Sequence, residues 1–178
     1  MILTKEQCQV LIDLHDHPKH GSKHISEFTI EDNFDPRGIK KSKIDYDMSL
    51  VYRDEETQWF FDLISDYLTE AGYPNNIVKQ TLYFNNFAYN PGMKFVRHVD
   101  KHRMSEWEMI IGAVLNDDYE GGRVLYYNPD FEVATKPGEI YLTDARGEHE
   151  VTEITKGRRY SFVFFLEKRE LGIPKELI

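Results

Sequence analysis

Hydrophobic positions in the N-terminal part of the chain recur every three to four residues. From Ile77 onward they come in short alternating or continuous runs divided by turn residues. The first spacing marks helices and the second marks strands. Thr4 followed by Gln7 has the form of a capping box, and Val10, Leu11 and Leu14 then share one helical face. Asp54 stands where it can cap a second helix, through which Trp59, Phe60, Leu63, Ile64, Tyr67 and Leu68 recur until Gly72 and Pro74 stop it. Between the two helices lies NFDPRGIKKSKIDYDMSLVYRD. It carries a turn signal from Asp35 to Gly38, a lysine group at Lys40, Lys41 and Lys43, and alternation into Leu50 and Tyr52. This segment is expected to form a loop or hairpin.

The later runs are IVKQTLYFNNFAY, WEMIIGAVL, RVLYY, FEVAT, EIYLT, EVTEI and RRYSFVFFL, separated by NDDYEGG, NPD, KPG and TKG. Many short strands at regular spacing behind two helices predict a mainly β fold, a sandwich or jelly roll with the N-terminal helices flanking it and covering a sheet. Trp59, Phe60 and Phe162 are expected in the core. Only one of Tyr126 and Tyr127 faces inward, because successive strand residues point to opposite sides. His15, His17, His20 and His24 are irregularly spaced around Pro18 and are expected at the surface.

A chain of 178 residues with 40% apolar side chains suits one domain with a single core. Cys8 is the only cysteine, which excludes an internal disulfide, and no apolar run is long enough to span a bilayer. Both features point to a reducing, cytoplasmic setting with no membrane partner. With 31 acidic and 22 basic residues the net charge is −9, which opposes attraction to a phosphate backbone and argues against a nucleic-acid partner.

The segment FVRHVDKH carries the candidate chemistry. His98 and Asp100 are two residues apart, so in an extended strand an imidazole and a carboxylate share one face. His149, near the start of a later strand, completes a possible set of two histidines and one carboxylate. Such a set occupies one face of an octahedral metal and leaves open positions suited to non-haem Fe(II). Zinc is the competing ion, but a closed zinc site wants a fourth protein ligand and there is no second cysteine. His102 continues the same strand face and is a weaker competing ligand. In RRYSFVFF, Arg159, Ser161 and Val163 share one face while Arg158, Tyr160 and Phe162 share the other. A guanidinium beside a hydroxyl is a natural clamp for a carboxylate.

From about Leu82 to Leu166 the chain resembles the catalytic core of the prolyl 4-hydroxylase group of 2-oxoglutarate and Fe(II)-dependent dioxygenases. The matching elements, in order, begin with Tyr89-Asn-Pro-Gly92, Phe95 and His98-Val-Asp100. They continue with Val114 to Gly122 and Lys136-Pro-Gly138, and end with His149-Glu-Val-Thr and Lys156-Gly-Arg-Arg159-Tyr. The string FVRHVD is similar to the oxygen-sensing prolyl hydroxylase branch. Two positions depart from the pattern: Glu153 stands where many relatives have proline, and Val114 where the oxygen-sensing branch has an aromatic cosubstrate contact.

The resemblance implies a double-stranded β-helix, with residues 1–75 giving helical support and a substrate loop and residues 77–167 the jelly-roll catalytic core. It implies Fe(II) held by His98, Asp100 and His149. It also implies 2-oxoglutarate as cosubstrate, its far carboxylate paired with Arg159 and assisted by Ser161 and the Tyr89 hydroxyl. O2 is the oxidant and ascorbate an accessory reductant. Decarboxylation to succinate and carbon dioxide would accompany hydroxylation of a protein or peptide partner containing proline, with Lys40, Lys41 and Lys43 near the substrate. Two alternatives stay open: hydroxylation of another protein side chain, a free amino acid or another small molecule, and a binding module without turnover.

Overall fold

The computed structural model describes the backbone of residues 1–29, 43–100, 107–133 and 136–173, and the side chains of the same residues except 21–29 and 43–45. Two helices lie among the described residues, α1 (Lys5–Asp13) and α2 (Gln58–Glu70). The capping box of α1 is formed as the spacing predicts. Thr4 Oγ1 accepts from the Gln7 N–H at 3.2 Å, and Gln7 Oε1 accepts from the Thr4 N–H at 2.8 Å. Leu11 and Leu14 are buried, but Val10 is 44% exposed and leaves the expected face, its place taken by Cys8. Asp54 acts one turn earlier than expected. Its carboxylate accepts from the N–H groups of Glu56 and Thr57, and Thr57 itself is the N-cap of α2 without a side-chain cap bond. The far end of α2 is a Schellman turn: Tyr73 N–H donates to the Leu68 carbonyl at 2.8 Å and Gly72 N–H to that of Thr69 at 3.2 Å. Gly72 takes a φ of +99°, open to glycine at little cost.

The strands are β1 (Gly21–Thr29), β2 (Lys43–Tyr52), β3 (Tyr83–Tyr89), β4 (Phe95–His98), β5 (Trp107–Val114) and β6 (Glu120–Gly121). They continue as β7 (Val124–Tyr127), β8 (Phe131–Glu132), β9 (Tyr141–Asp144), β10 (Glu148–Val151), β11 (Ile154–Lys156) and β12 (Arg159–Glu167). A major antiparallel sheet has the order β1-β2-β3-β12-β5-β9, a minor sheet the order β4-β10-β7-β8, and β6 pairs with β11. The architecture is a jelly roll, as the run of short strands predicts.

Two expectations about the elements need adjustment. The described part of the segment expected as a loop or hairpin is the strand β2, which pairs antiparallel with the earlier β1 and extends the major sheet by pairing along β3 from Asp47↔Ala88 to Tyr52↔Tyr83. Residues 30–42, with Lys40 and Lys41, lie outside the described residues, as does the Lys43 side chain. The run from Ile77 is a strand only from Tyr83; Val78–Gln80 is a short 3-10 turn whose Val78 is buried. Its polar Lys79 and Gln80 interrupt the alternation that a strand needs.

The outer face of the major sheet carries α2. Phe60 and Phe61 pack edge-on against Phe84, Phe162 and Phe164, with Phe60–Phe162 at 4.8 Å and 87° and Phe61–Phe164 at 5.4 Å and 90°. Such pairs add about 0.5–1.5 kcal/mol each beyond their burial. Phe60 and Phe162 are therefore core as expected, while Trp59 sits at its margin.

Two of the four histidines expected at the surface are buried, while His17 is partly exposed and the His24 side chain lies outside the described residues. His15 is fully buried with Nδ1 3.2 Å from the Asn86 carbonyl, and His20 is buried with Nδ1 accepting from the Tyr52 N–H at 3.3 Å. The chain leaving α1 packs back onto β2 and β3, so local spacing around Pro18 was the wrong guide. Burial holds the His15 pKa below its ordinary value, opposed by the Asp16 carboxylate. The folded state therefore keeps His15 neutral. Its contribution is complete above the ordinary imidazole pKa of about 6.5 and is lost as pH falls below it. Thermal melts at about pH 7.5 and about pH 5.5 should show a larger drop in Tm for the native chain than for His15→Gln, which has nothing to titrate at that place.

Candidate active site

β4 and β10 are antiparallel neighbours in which His98 stands directly opposite His149. Asp100 follows two residues after His98 and falls on the same side. His98 Nε2 lies 3.2 Å from Asp100 Oδ1, and His149 Nε2 lies 3.3 Å from Asp100 Oδ2. All three donor atoms fall within 4.8 Å of one another. Each ring is held by the carbonyl two residues before it: His98 Nδ1 donates to Val96 O at 2.7 Å and His149 Nδ1 to Gly147 O at 2.9 Å. These bonds place the proton on Nδ1 and turn the Nε2 lone pairs inward, the tautomer a metal requires. The faces of the rings are fixed as well, His98 against Phe95 at 4.0 Å and His149 against Tyr126 at 4.7 Å. Burial, reinforced by His98 and opposed by Asp100, lowers the His149 pKa to about 4. Near neutral pH this imidazole is uncharged and free to ligate.

Arg159, at the start of β12, faces this set from the major sheet. It is 2% exposed, donates from Nη1 to Ser161 Oγ at 2.9 Å, and holds its guanidinium carbon 5.4 Å from the centre of the Tyr89 ring. Its buried Nε has no partner among the described residues. Gly122 makes room for the stem, because a Cβ there would lie 2.7 Å from Arg159 Cδ. Arg158 points the other way, to Asp47 at 3.4 Å and Asp16 at 3.7 Å on the outer face. The strand alternation thus separates the two arginines as expected. A cavity of about 50 Å³ lies between the sheets, bounded by His98, Asp100 and His149 on one side and Tyr89, Arg159 and Ser161 on the other. All six residues singled out from the sequence meet there.

Sequence reasoning did not assign Tyr46, Tyr126 or Tyr141 to the site, although it expected one of Tyr126 and Tyr127 to face inward. Tyr126 lies beneath His149 and donates or accepts at Thr143 Oγ1, 2.8 Å away, while Tyr127 lies at the outer side under Arg97. Tyr141 lines the cavity itself. Tyr46 stacks on Phe95 at 5.1 Å, and burial together with Asp100 pushes its pKa up to about 12. Strand alternation could have offered each as inward-facing, but not which strand stood next to the site.

A wider groove of about 630 Å³ shares Phe87, Phe95, Asp100 and Phe165 with the cavity and continues over Tyr46, Met48, Leu50, Tyr83, Asn85 and Trp107 to Glu167, Arg169 and Glu170. Trp107 stacks on Phe165 at 4.4 Å along its floor. His102 falls within residues 101–106, outside the described residues.

No protein-family model and no curated protein matches the sequence. Solved structures do match the fold. An oxidoreductase of the 2OG-Fe(II) oxygenase family from Burkholderia pseudomallei is similar with a TM-score of 0.65 and 13% identity, over 92% of this chain and 79% of that one. The viral collagen prolyl hydroxylase of Paramecium Bursaria Chlorella virus-1, solved with 2OG, is similar at 0.61 and 12%, over 90% and 88%. A prolyl hydroxylase from Trichoplax adhaerens, solved with a hypoxia inducible factor peptide fragment, is similar at 0.56 and 14%, over 96% and 94%. The chain has the fold these oxygenases share.

The three-donor set predicts that one divalent metal binds per chain. His149→Ala should weaken binding of Co(II), measured by calorimetry, by more than about 100-fold, beyond the loss typical of an outer-shell partner. Cys8→Ser, remote from the site in α1, should leave it unchanged.

Proposed function

We propose that this chain is a 2-oxoglutarate- and Fe(II)-dependent dioxygenase that hydroxylates proline-containing peptides. The observation that carries this is the meeting of two Nε2-presenting histidines and one carboxylate with a buried, under-partnered guanidinium across a single small cavity. The donor set fits Fe(II), since two imidazoles and a carboxylate on one side leave the other positions open. When bound, iron and 2-oxoglutarate with O2 supply the oxidising chemistry that yields succinate, carbon dioxide and a hydroxylated substrate.

The chain's own residues do the arranging. His98, Asp100 and His149 hold the metal in one orientation, and their backbone tethers keep the rings from turning away. Arg159 pairs with the far carboxylate of 2-oxoglutarate, and this pairing gives its orphaned Nε a partner. Ser161 Oγ accepts from Arg159 and keeps its own proton for the same carboxylate. Tyr89 closes the floor beneath the guanidinium and excludes water, which strengthens every charge interaction above it.

The groove supports a peptide substrate. Its aromatic floor of Tyr46, Tyr83, Trp107 and Phe165 suits an extended proline-bearing strand, and it leads to Asp100 at the cavity mouth. The acidic balance disfavours nucleic acid. No helix among the described residues is long and apolar enough to cross a membrane. A cytoplasmic location, with ascorbate keeping the iron reduced, completes the proposal.

With Fe(II) present, proline-containing peptides should stimulate succinate release and gain one oxygen atom on proline, located by fragmentation. Free proline and methylated oligonucleotides should do neither. Oxidation at another residue would move the substrate assignment and leave the iron chemistry intact. Arg159→Ala should raise the 2-oxoglutarate KM by more than about 30-fold, matching a loss of at least about 2 kcal/mol for a desolvated charge pair. Arg158→Ala should change it little.

A further inference from the structure

Gly112 shares the cavity-facing side of β5 with Ile110, two residues before it. It pairs with Tyr141 on β9. A Cβ at this position would collide with Tyr141 Oη, stand 2.6 Å from Tyr141 Cζ and 3.0 Å from the Phe162 carbonyl of β12, so the hydroxyl end of the phenol occupies the space over the glycine on β5. On β12 the residue opposite Gly112 is Val163, and the next inward residue is Ser161, which already takes Arg159 Nη1. The phenol approaches from β9 and the guanidinium from the beginning of β12, and both line the same cavity.

Three further observations mark this hydroxyl as aimed at a ligand. It has no hydrogen-bond partner among the described residues, whereas the hydroxyl of the nearby Tyr126 is tied to Thr143. Val114, the next inward residue of β5, is apolar and brings no donor to this wall. Burial raises the Tyr141 pKa and Arg159 opposes that rise, which places the phenol within the field of the guanidinium and keeps it protonated as a donor at neutral pH.

We propose that Tyr141, seated over Gly112, is a fixed hydrogen-bond donor to the far carboxylate of 2-oxoglutarate, beside Arg159 and Ser161. This rests on the dioxygenase reading above. It assigns to the β9–β5 edge a binding role that the sequence motifs did not contain. Gly112 is then a specificity position through its lack of a side chain, since any larger residue displaces the phenol.

The test is direct binding to Zn(II)-loaded protein by calorimetry, where no turnover occurs, with two ligands: 2-oxoglutarate, and 2-oxobutyrate, which lacks the far carboxylate. The native chain should prefer 2-oxoglutarate strongly. If it does not, the carboxylate clamp itself fails and the proposal falls with it. Tyr141→Phe should weaken 2-oxoglutarate about 10- to 100-fold, the range for a lost hydrogen bond to a charged group, and leave 2-oxobutyrate unchanged. Gly112→Ala should give the same selective loss without touching the tyrosine, and the double variant should lose little more than either single one. Unchanged 2-oxoglutarate affinity in Tyr141→Phe, in a chain that does discriminate the two ligands, would overturn the proposal. So would an equal loss for both ligands, which marks general damage to the cavity.

Discussion

The register of β12 is the constraint on which the rest depends. This strand lies between β3 and β5 in the major sheet, and its side chains alternate between two jobs. Phe162, Phe164 and Leu166 are buried beneath the helices, while Arg159 and Ser161 face the cavity. A slip of one residue would drive a guanidinium into the phenylalanine cluster and turn Phe162 into the cavity. Burial of three large apolar side chains on one face therefore holds the charged group on the other.

The opposite wall is held in a different way. The minor-sheet histidines gain their orientation from local carbonyls and from ring contacts with Phe95 and Tyr126, so little rearrangement is needed to receive a metal. Arg159 is less well provided for, with a buried Nε left without a partner among the described residues. An under-partnered buried cation costs the fold stability. A ligand that supplies the missing carboxylate stabilises the folded chain in proportion to its occupancy. In the proposed function, fold stability and cosubstrate binding are coupled through this one side chain.

The groove and the cavity share four residues, Phe87, Phe95, Asp100 and Phe165, so a group resting on the groove touches the walls of the cavity. β2 makes this continuity by contributing Tyr46, Met48 and Leu50 to the groove floor. Its membership of the major sheet, and not a separate helical layer, brings the N-terminal part of the chain to the site.

What the sequence determined by itself is whatever rests on short-range geometry. The Thr4 capping box, the shared face of His98 and Asp100, and the opposed faces of Arg158 and Arg159 all follow from fixed residue spacings in helix or strand, and each is found in the fold. The tertiary structure alone decided which strands became neighbours. Strand periodicity says which residues point the same way, not which strand pairs with which; pairing is selected by long-range burial. That selection set His149 opposite His98, laid Tyr141 over Gly112, added β1 and β2 to the major sheet, and buried His15 and His20 against it.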